Sequence, residues 1–144
     1  MRHKGDEFEF KRERNDDLMR AYTRLIAGMS NISSADLYSG LVNMPSKRFW
    51  VSPRRAAVVI SSIIKGKSID NMGAVKREMY LEIYNRVLAL KKKTPHTGIY
   101  ELCKVIVEQD APKFYLTPGS AEVIVCRIRK QWFKEQRKQF RHLR

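Results

Sequence analysis

The sequence predicts a mainly α-helical protein in which one helical unit occurs twice within one co-folded body. The first observation is an internal repeat: residues 49–65 and residues 114–130 both place two aromatics, an aliphatic residue, a hydroxyl residue and a proline ahead of an apolar helical pattern. The second is the apolar spacing of amphipathic helices along most of the chain. The third is length, because half of 144 residues would bury too little surface to be stable alone.

Each unit is predicted to run helix, helix, short strand, helix, with the first unit at 14–67 and the second at 68–131. Extending the repeat toward the N-terminus requires a three-residue length difference, which aligns Tyr22 with Tyr84. Residues 1–13 mix charges of both signs and are expected to be disordered until a partner is bound. Residues 132–144 form a basic aromatic arm.

The first unit begins with apolar residues at helical spacing from Leu18 to Met29, and the side chains of residues 15–17 are predicted to cap this helix. Ser33 or Ser34 caps a second helix, which ends before Pro45. The aromatic stretch 49–51 is then predicted to be a strand, because its residues favour extended backbone.

The third helix of each unit has a clear start. Ser52 before Pro53, and Thr117 before Pro118, place a capping hydroxyl ahead of a proline, which tolerates the first helical position. The predicted core faces of these two helices are Ala56, Val59, Ile60, Ile63 and Ile64, and Ala121, Ile124, Val125, Ile128 and Trp132.

The second unit opens with a long helix from Ala74 to Leu90, followed by three lysines that complement the helix dipole. A loop at 94–98 leads to an amphipathic helix from Ile99 to Val107, and residues 111–112 break it. Cys103 and Cys126 fall in apolar helical patterns and are predicted to be buried, reduced thiols.

Charge indicates the partner. Lys and Arg number 29 against 15 Asp and Glu, which gives a formal net charge of +14 and a pI near 10.1. Residues 127–144 hold 8 of the basic side chains and 1 acidic one, interleaved with aromatics. A basic face on a folded chain is typical of proteins that bind a polyanion, so the partner is predicted to be nucleic acid.

Several classes are disfavoured. The charged N-terminus lacks the apolar region of an export signal, and no apolar run is long enough to span a membrane. We therefore expect no membrane partner and a cytoplasmic or nucleoid-associated location. The histidines and cysteines are scattered, which disfavours a metal site. There is no glycine-rich phosphate loop and no nucleophile motif. A protein without enzymatic activity, cofactor or small-molecule substrate is therefore predicted.

The three-helix unit is comparable with helix-turn-helix DNA binders, which place a third helix in the major groove. The comparison is loose, because the break at 43–51 exceeds a turn of about three or four residues. Arg54 and Arg55 could reach base edges or phosphates, whereas Gly119 and Ser120 leave helix amides open to a phosphate. The predicted nucleic-acid-binding residues are Lys47, Arg48, Arg54, Arg55, Lys113, Gly119, Ser120, Arg127, Arg129, Lys130, Lys134, Arg137 and Lys138.

The aromatic pairs at 49–50 and 114–115 have two interpretations, either stacking on unpaired bases or filling the core, and the core is favoured.

The sequence is compatible with three functions. Duplex DNA is the favoured partner, for a regulator, a packaging protein or a mobile-element accessory factor. An RNA-binding or ribosome-associated protein is the second alternative. An assembly protein of a nucleoprotein particle, which could form a homo-oligomer, is the third.

Overall fold

The protein is helical in the part that a computed structural model describes, residues 4–29 and 31–142, with side chains from 10 to 141 apart from residue 30. Six helices follow one another there: α1 Lys4–Ala27, α2 Ser34–Val42, α3 Pro53–Ile64, α4 Ala74–Lys93, α5 Ile99–Val107 and α6 Pro118–His142. The prediction of a mainly α protein is confirmed.

Hydroxyl side chains start three of these helices, as predicted. Ser33 caps α2 by accepting from the Asp36 amide at 3.3 Å. Ser52 caps α3 at 3.1 Å from the Arg55 amide. At the start of α6 the hydroxyl oxygen of Thr117 accepts from the Ser120 amide at 3.1 Å. Each hydroxyl satisfies an amide that would otherwise lack a helical partner.

The first helix differs from its prediction. It begins at Lys4 rather than near residue 15, so residues 4–13 are helical, while residues 1–3 lie outside the described part. Residues 15–17 therefore lie inside the helix and do not cap it. Asp17 is instead 2% exposed and binds groups near residue 46, which is a tertiary role that helix-capping statistics do not reveal.

The short strand predicted at 49–51 and its counterpart in the second unit, residues 114–116, are absent from the described residues. A single antiparallel bridge between Ser46 and Ala111 takes their place, with N···O distances of 3.0 Å in both directions. Tyr115 explains part of the difference, because its φ of 56° lies in the left-handed region and interrupts an extended chain.

The helices pack in two groups, and each group takes its third helix from the other half of the chain. Helix α3 packs against α4 and α5, and helix α6 packs against α1 and α2. Each group has its own buried cluster. The α3–α4–α5 cluster includes Phe49, Val59, Ile60, Ile83, Leu102 and Ile106; the α1–α2–α6 cluster includes Leu18, Tyr22, Leu41, Phe114, Ala121 and Val125.

Two further backbone hydrogen bonds join the two halves of the chain beside the bridge, one within each group. The Phe49 amide donates to the Val107 carbonyl, and the Phe114 amide donates to the Val42 carbonyl, both at 3.0 Å. Shifting the residue numbers of one bond by 65 gives the other, since 49 becomes 114 and 42 becomes 107. The bridge residues 46 and 111 are also 65 positions apart.

The predicted core faces of α3 and α6 are partly right. Residues in the middle of each face are buried, but Ile64, the last residue of α3, is 49% exposed, and Trp132, which follows the last buried residue among the described side chains of α6, Val125, is 54% exposed. Phe49 and Phe114 are buried, in agreement with the core interpretation of the aromatic pairs. Cys103 is buried as predicted, whereas Cys126 is exposed.

Candidate nucleic-acid interface

Two helix N-termini follow the bridge at equal spacing. Helix α3 starts at Pro53, seven residues after Ser46, and helix α6 starts at Pro118, seven residues after Ala111. Seven residues of chain reach at most about 25 Å, so neither helix start can lie farther than that from the bridge. Both starts carry residues that the sequence assigns to nucleic-acid binding.

These N-terminal residues are exposed in both helices. Arg54 and Arg55 occupy the first turn of α3 and are open to solvent. Gly119 and Ser120 occupy the first turn of α6, and a Cβ atom built at Gly119 would meet no other atom within 4 Å. The α3 start therefore presents two cations, while the α6 start presents backbone with little side-chain cover.

Arg48, another predicted contact, is occupied within the fold. Its guanidinium lies 4.6 Å from the centre of the Phe10 ring and 5.6 Å from that of Trp50. Its Nε donates to the Phe49 carbonyl at 3.2 Å. Burial lowers the pKa of Arg48 from its ordinary value, because the charged form loses water. This arginine ties α1 to the segment before α3.

Lys113 and Arg129 are likewise engaged. Lys113 pairs with Glu78 of α4, and its ammonium lies 5.7 Å from the centre of the Tyr115 ring. Arg129 donates to the hydroxyl of Tyr22 at 3.3 Å, which joins α6 to α1. Their charge still contributes to the field of the surface, but their side chains have structural partners.

The last four turns of α6 carry the densest basic surface. With about 100° between successive residues, six side chains fall within an arc of roughly 100° on one face. They are Arg127, Lys130, Lys134, Arg137, Lys138 and Arg141, all exposed. We call them the basic stripe. It is about 21 Å long, since 14 residues separate its ends and each adds 1.5 Å.

Aromatic side chains lie on a different face of the same helix. Trp132, Phe133 and Phe140 are 54%, 46% and 66% exposed, and helical spacing places all three within about 100° on the side away from the basic stripe. We call them the aromatic stripe. Trp132 and Phe133 meet edge to face, with ring centres 5.0 Å apart. The six cations of the basic stripe and the three aromatics thus occupy different faces of α6, whereas Arg129 lies on the aromatic side, 6.0 Å from the centre of the Phe133 ring.

Of the other predicted residues, Lys47 has an exposed side chain, while its backbone amide donates to Asp17 Oδ2 at 2.9 Å. The structure thus divides the predicted set. Arg54, Arg55, Gly119 and Ser120 lie in the first turns of α3 and α6, and Lys47 follows the bridge residue Ser46. Five further members of the set belong to the basic stripe: Arg127, Lys130, Lys134, Arg137 and Lys138. Arg48, Lys113 and Arg129 belong to the packing.

Residues that the sequence reading left out also shape this region. Arg141 completes the basic stripe and follows the same helical spacing as Lys134 and Lys138. Phe10 packs beneath Arg48, although it falls in the segment predicted to be disordered. Val75 lies 65 positions later, at the offset of the repeat, and belongs to the helix predicted from Ala74 to Leu90. The same offset would have predicted that Phe10 is helical as well.

Burial raises the pKa of a phenol and of a thiol in this fold. Burial raises the pKa of Tyr115 to about 12, and the nearby carboxylates of Glu82 and Glu78 add to that effect. Burial likewise raises the pKa of the Cys103 thiol to about 11. Both groups are therefore protonated near neutral pH and supply no nucleophile.

Among the described residues there is no cluster of three or more His, Cys, Asp or Glu side chains that could hold a metal ion. None of the helices in that part of the chain combines the length and apolar character needed to cross a membrane. No protein family, curated protein or solved structure matches the chain.

Proposed function

We propose that the protein binds nucleic acid without catalysing a reaction, and that duplex DNA is its preferred target. The basic stripe on α6 carries this proposal, because six exposed cations lie on one face of the helix. Between Arg127 and Arg141 a single acidic residue, Glu135, opposes their charge. Such a face attracts phosphates and gains free energy by releasing their counterions. A cytoplasmic or nucleoid-associated location fits this partner.

A second part of the proposal concerns the architecture. We infer that the chain is a duplicated unit whose two copies exchange their third helices about a pseudo-two-fold axis at the Ser46–Ala111 bridge. The hydrogen bonds that repeat at an offset of 65 support it. So do α2 and α5, which have nine residues each and start 65 positions apart. This register requires no three-residue length difference.

The duplication bears on the target. A duplex with approximate two-fold symmetry can meet both helix starts of one chain at once. Arg54 and Arg55 suit base edges or phosphates, whereas the α6 start suits a phosphate. One chain would then read one half of its site and anchor on the other half.

Salt-dependent titration of the full chain tests this function. Duplex DNA, single-stranded DNA and hairpin RNA are compared at two or more salt concentrations. We expect duplex to bind most tightly, with log affinity falling linearly with log salt by about 0.9 per phosphate contact. The triple variant Lys134→Gln, Arg137→Gln, Lys138→Gln should reduce that slope by between two and three.

A matched control removes the same charge elsewhere. Lys65, Lys67 and Lys104 are exposed and lie outside the stripe, so their change to Gln should alter the slope much less. Arg55→Ala should reduce the preference for one duplex sequence over another, while Lys134→Ala weakens all sequences alike. Tighter binding of hairpin RNA would favour the RNA-binding alternative. Absence of salt-sensitive binding to all three probes would reject a nucleic-acid partner and favour an assembly protein.

A further inference from the structure

A cleft of about 210 Å³ opens between α2, α4 and the segment that leads into α6. Its walls combine apolar and aromatic side chains with the Lys113–Glu78 ion pair at one side. The main lining residues are Val42, Val75, Glu78, Lys113, Tyr115 and Leu116. An apolar cavity of about 150 Å³ takes up benzene in another protein, so this volume accommodates a phenyl ring.

The other half of the molecule shows what fills such a place. Subtracting 65 from the positions of Val75, Lys113 and Tyr115 gives Phe10, Arg48 and Trp50. Arg48 lies 5.6 Å from the Trp50 ring centre, as Lys113 lies 5.7 Å from that of Tyr115.

In that half an aromatic ring occupies the space. The Phe10 ring centre lies 4.6 Å from the Arg48 guanidinium. Val75 has a much smaller side chain at the corresponding position, and the cleft is open beside it. The cleft is therefore shaped for an aromatic ring placed under a cation and against Tyr115, in a cation–π arrangement like that of Phe10.

The surroundings of the cleft indicate what supplies the ring. Glu78 at the cleft pairs with Lys113, and Glu82 on the same helix pairs with Arg86 at 3.0 Å, so each carboxylate is balanced by a cation and the lining suits an apolar ring better than an ion. The chain itself offers such a ring, since Phe140 is 66% exposed, the largest exposed fraction among the large apolar side chains of the described residues.

The length of α6 allows an exchange between two copies. Its 25 residues span about 37 Å, with Pro118 lining the cleft at one end and Phe140 near the other. When two α6 helices lie antiparallel about a two-fold axis, Phe140 of each copy comes beside the start of α6 in the other. Both clefts are filled at once, and the assembly closes at two chains.

We propose that the protein self-associates as a two-fold dimer in which Phe140 of each copy enters the cleft beside Val75 and Tyr115 of the other. The basic stripe lies on a different face of α6 from Phe140, so nucleic acid can bind the dimer. The proposal is independent of the nucleic-acid function, because it concerns the chain alone.

Sedimentation equilibrium of the nuclease-treated full chain tests the dimer at about 0.3 M salt, which screens the repulsion between chains of net charge +14. The interface is small, so association is expected to be weak and the average mass should rise with concentration from 16.9 kDa toward twice that value. Val75→Phe fills the cleft as Phe10 fills its counterpart, and it should weaken association at least tenfold. Phe140→Ala should do the same.

Matched variants exclude general effects of the substitutions. Val105→Phe adds an aromatic at a valine that is 54% exposed, and Tyr100→Ala removes an aromatic that is 48% exposed, so both should associate like the unaltered chain. Thermal unfolding should show Val75→Phe to be at least as stable as the unaltered chain. A chain that stays monomeric at all concentrations, or one whose association survives both Val75→Phe and Phe140→Ala, would overturn the proposal. Phe140→Ala should retain its affinity for duplex DNA.

Discussion

At the scale of single residues, the most informative group is the buried carboxylate of Asp17. It accepts from the Ser46 hydroxyl at 3.0 Å and from the Lys47 amide at 2.9 Å, and Arg20 donates to it from the same helix. Trp50 Nε1 donates to the Ser46 oxygen at 2.7 Å. A carboxylate with this many donors is stable out of water, and it fixes α1 against the bridge.

Replacing Asp17 with Asn should therefore be costly. The amide places donor hydrogens where the fold supplies donors, and we expect a loss of about 3 kcal/mol in the free energy of unfolding. Urea unfolding followed by circular dichroism measures it. Asp16→Asn is the control, because its side chain is exposed and its change should stay within about 0.5 kcal/mol. Equal effects of the two variants would show that the buried hydrogen bonds contribute little.

The buried thiol and phenol make stability depend on alkaline pH. The pKa of Cys103 is about 11 in the folded chain against an ordinary value of 9.0, and that of Tyr115 is about 12 against 10.0. A raised folded pKa means that stability is complete below the ordinary value and falls as pH rises through the folded value. The midpoint of urea unfolding should therefore fall between pH 9 and 12.

The two thiols offer a check on the same burial. Cys126 is exposed and Cys103 is buried, so a thiol reagent at pH 8 should label one site per folded chain and two after denaturation. Cys126→Ser should abolish labelling of the folded chain. Fast labelling of Cys103 would contradict the burial that raises its pKa.

At the scale of the helix, local chemistry made the starts predictable. A hydroxyl before a proline specifies a helix start without reference to the rest of the chain, and α3 and α6 begin where Ser52 and Thr117 predict. The start of α1 was not predictable in this way, since Phe10 and Asp17 are held by residues near 46–50. Tertiary contacts decided that helix boundary.

The caps should have similar energies in the two halves. Ser52→Ala and Thr117→Ala each leave one helix amide without its side-chain acceptor, and each should cost about 1 kcal/mol. Thermal unfolding of the two variants and of Ser120→Ala provides the comparison, because the Ser120 hydroxyl accepts no helix amide among the described contacts. A loss below about 0.3 kcal/mol for both cap variants would mean that water replaces the hydroxyls at these helix starts.

At the scale of the whole molecule, the sequence indicated the helices and the cationic arm but not the way in which the helices group. Apolar stripes show which face of α3 or α6 is buried, yet they do not state which helices cover it. The contacts of α3 with α4 and α5, and of α6 with α1 and α2, depend on how the chain crosses at 46 and 111. Charge alone also does not reveal which of the residues predicted to bind nucleic acid pack within the fold, as Arg48 does against Phe10 and Arg129 against Tyr22.

This crossing makes each half of the chain depend on the other for its core. A fragment of residues 1–72 contains α3 without α4 and α5, and a fragment of residues 73–144 contains α6 without α1 and α2. We expect each fragment alone to show much less helix by circular dichroism than its share of the intact chain. Mixing them in equal amounts should restore the helical signal, since α3 and α6 then regain their buried contacts. The full chain should unfold in one transition, with far-ultraviolet dichroism and tryptophan fluorescence coinciding, because neither cluster is complete without both halves. A fragment that folds alone as a monomer, or two separate transitions in the full chain, would show that each half carries its own stable core.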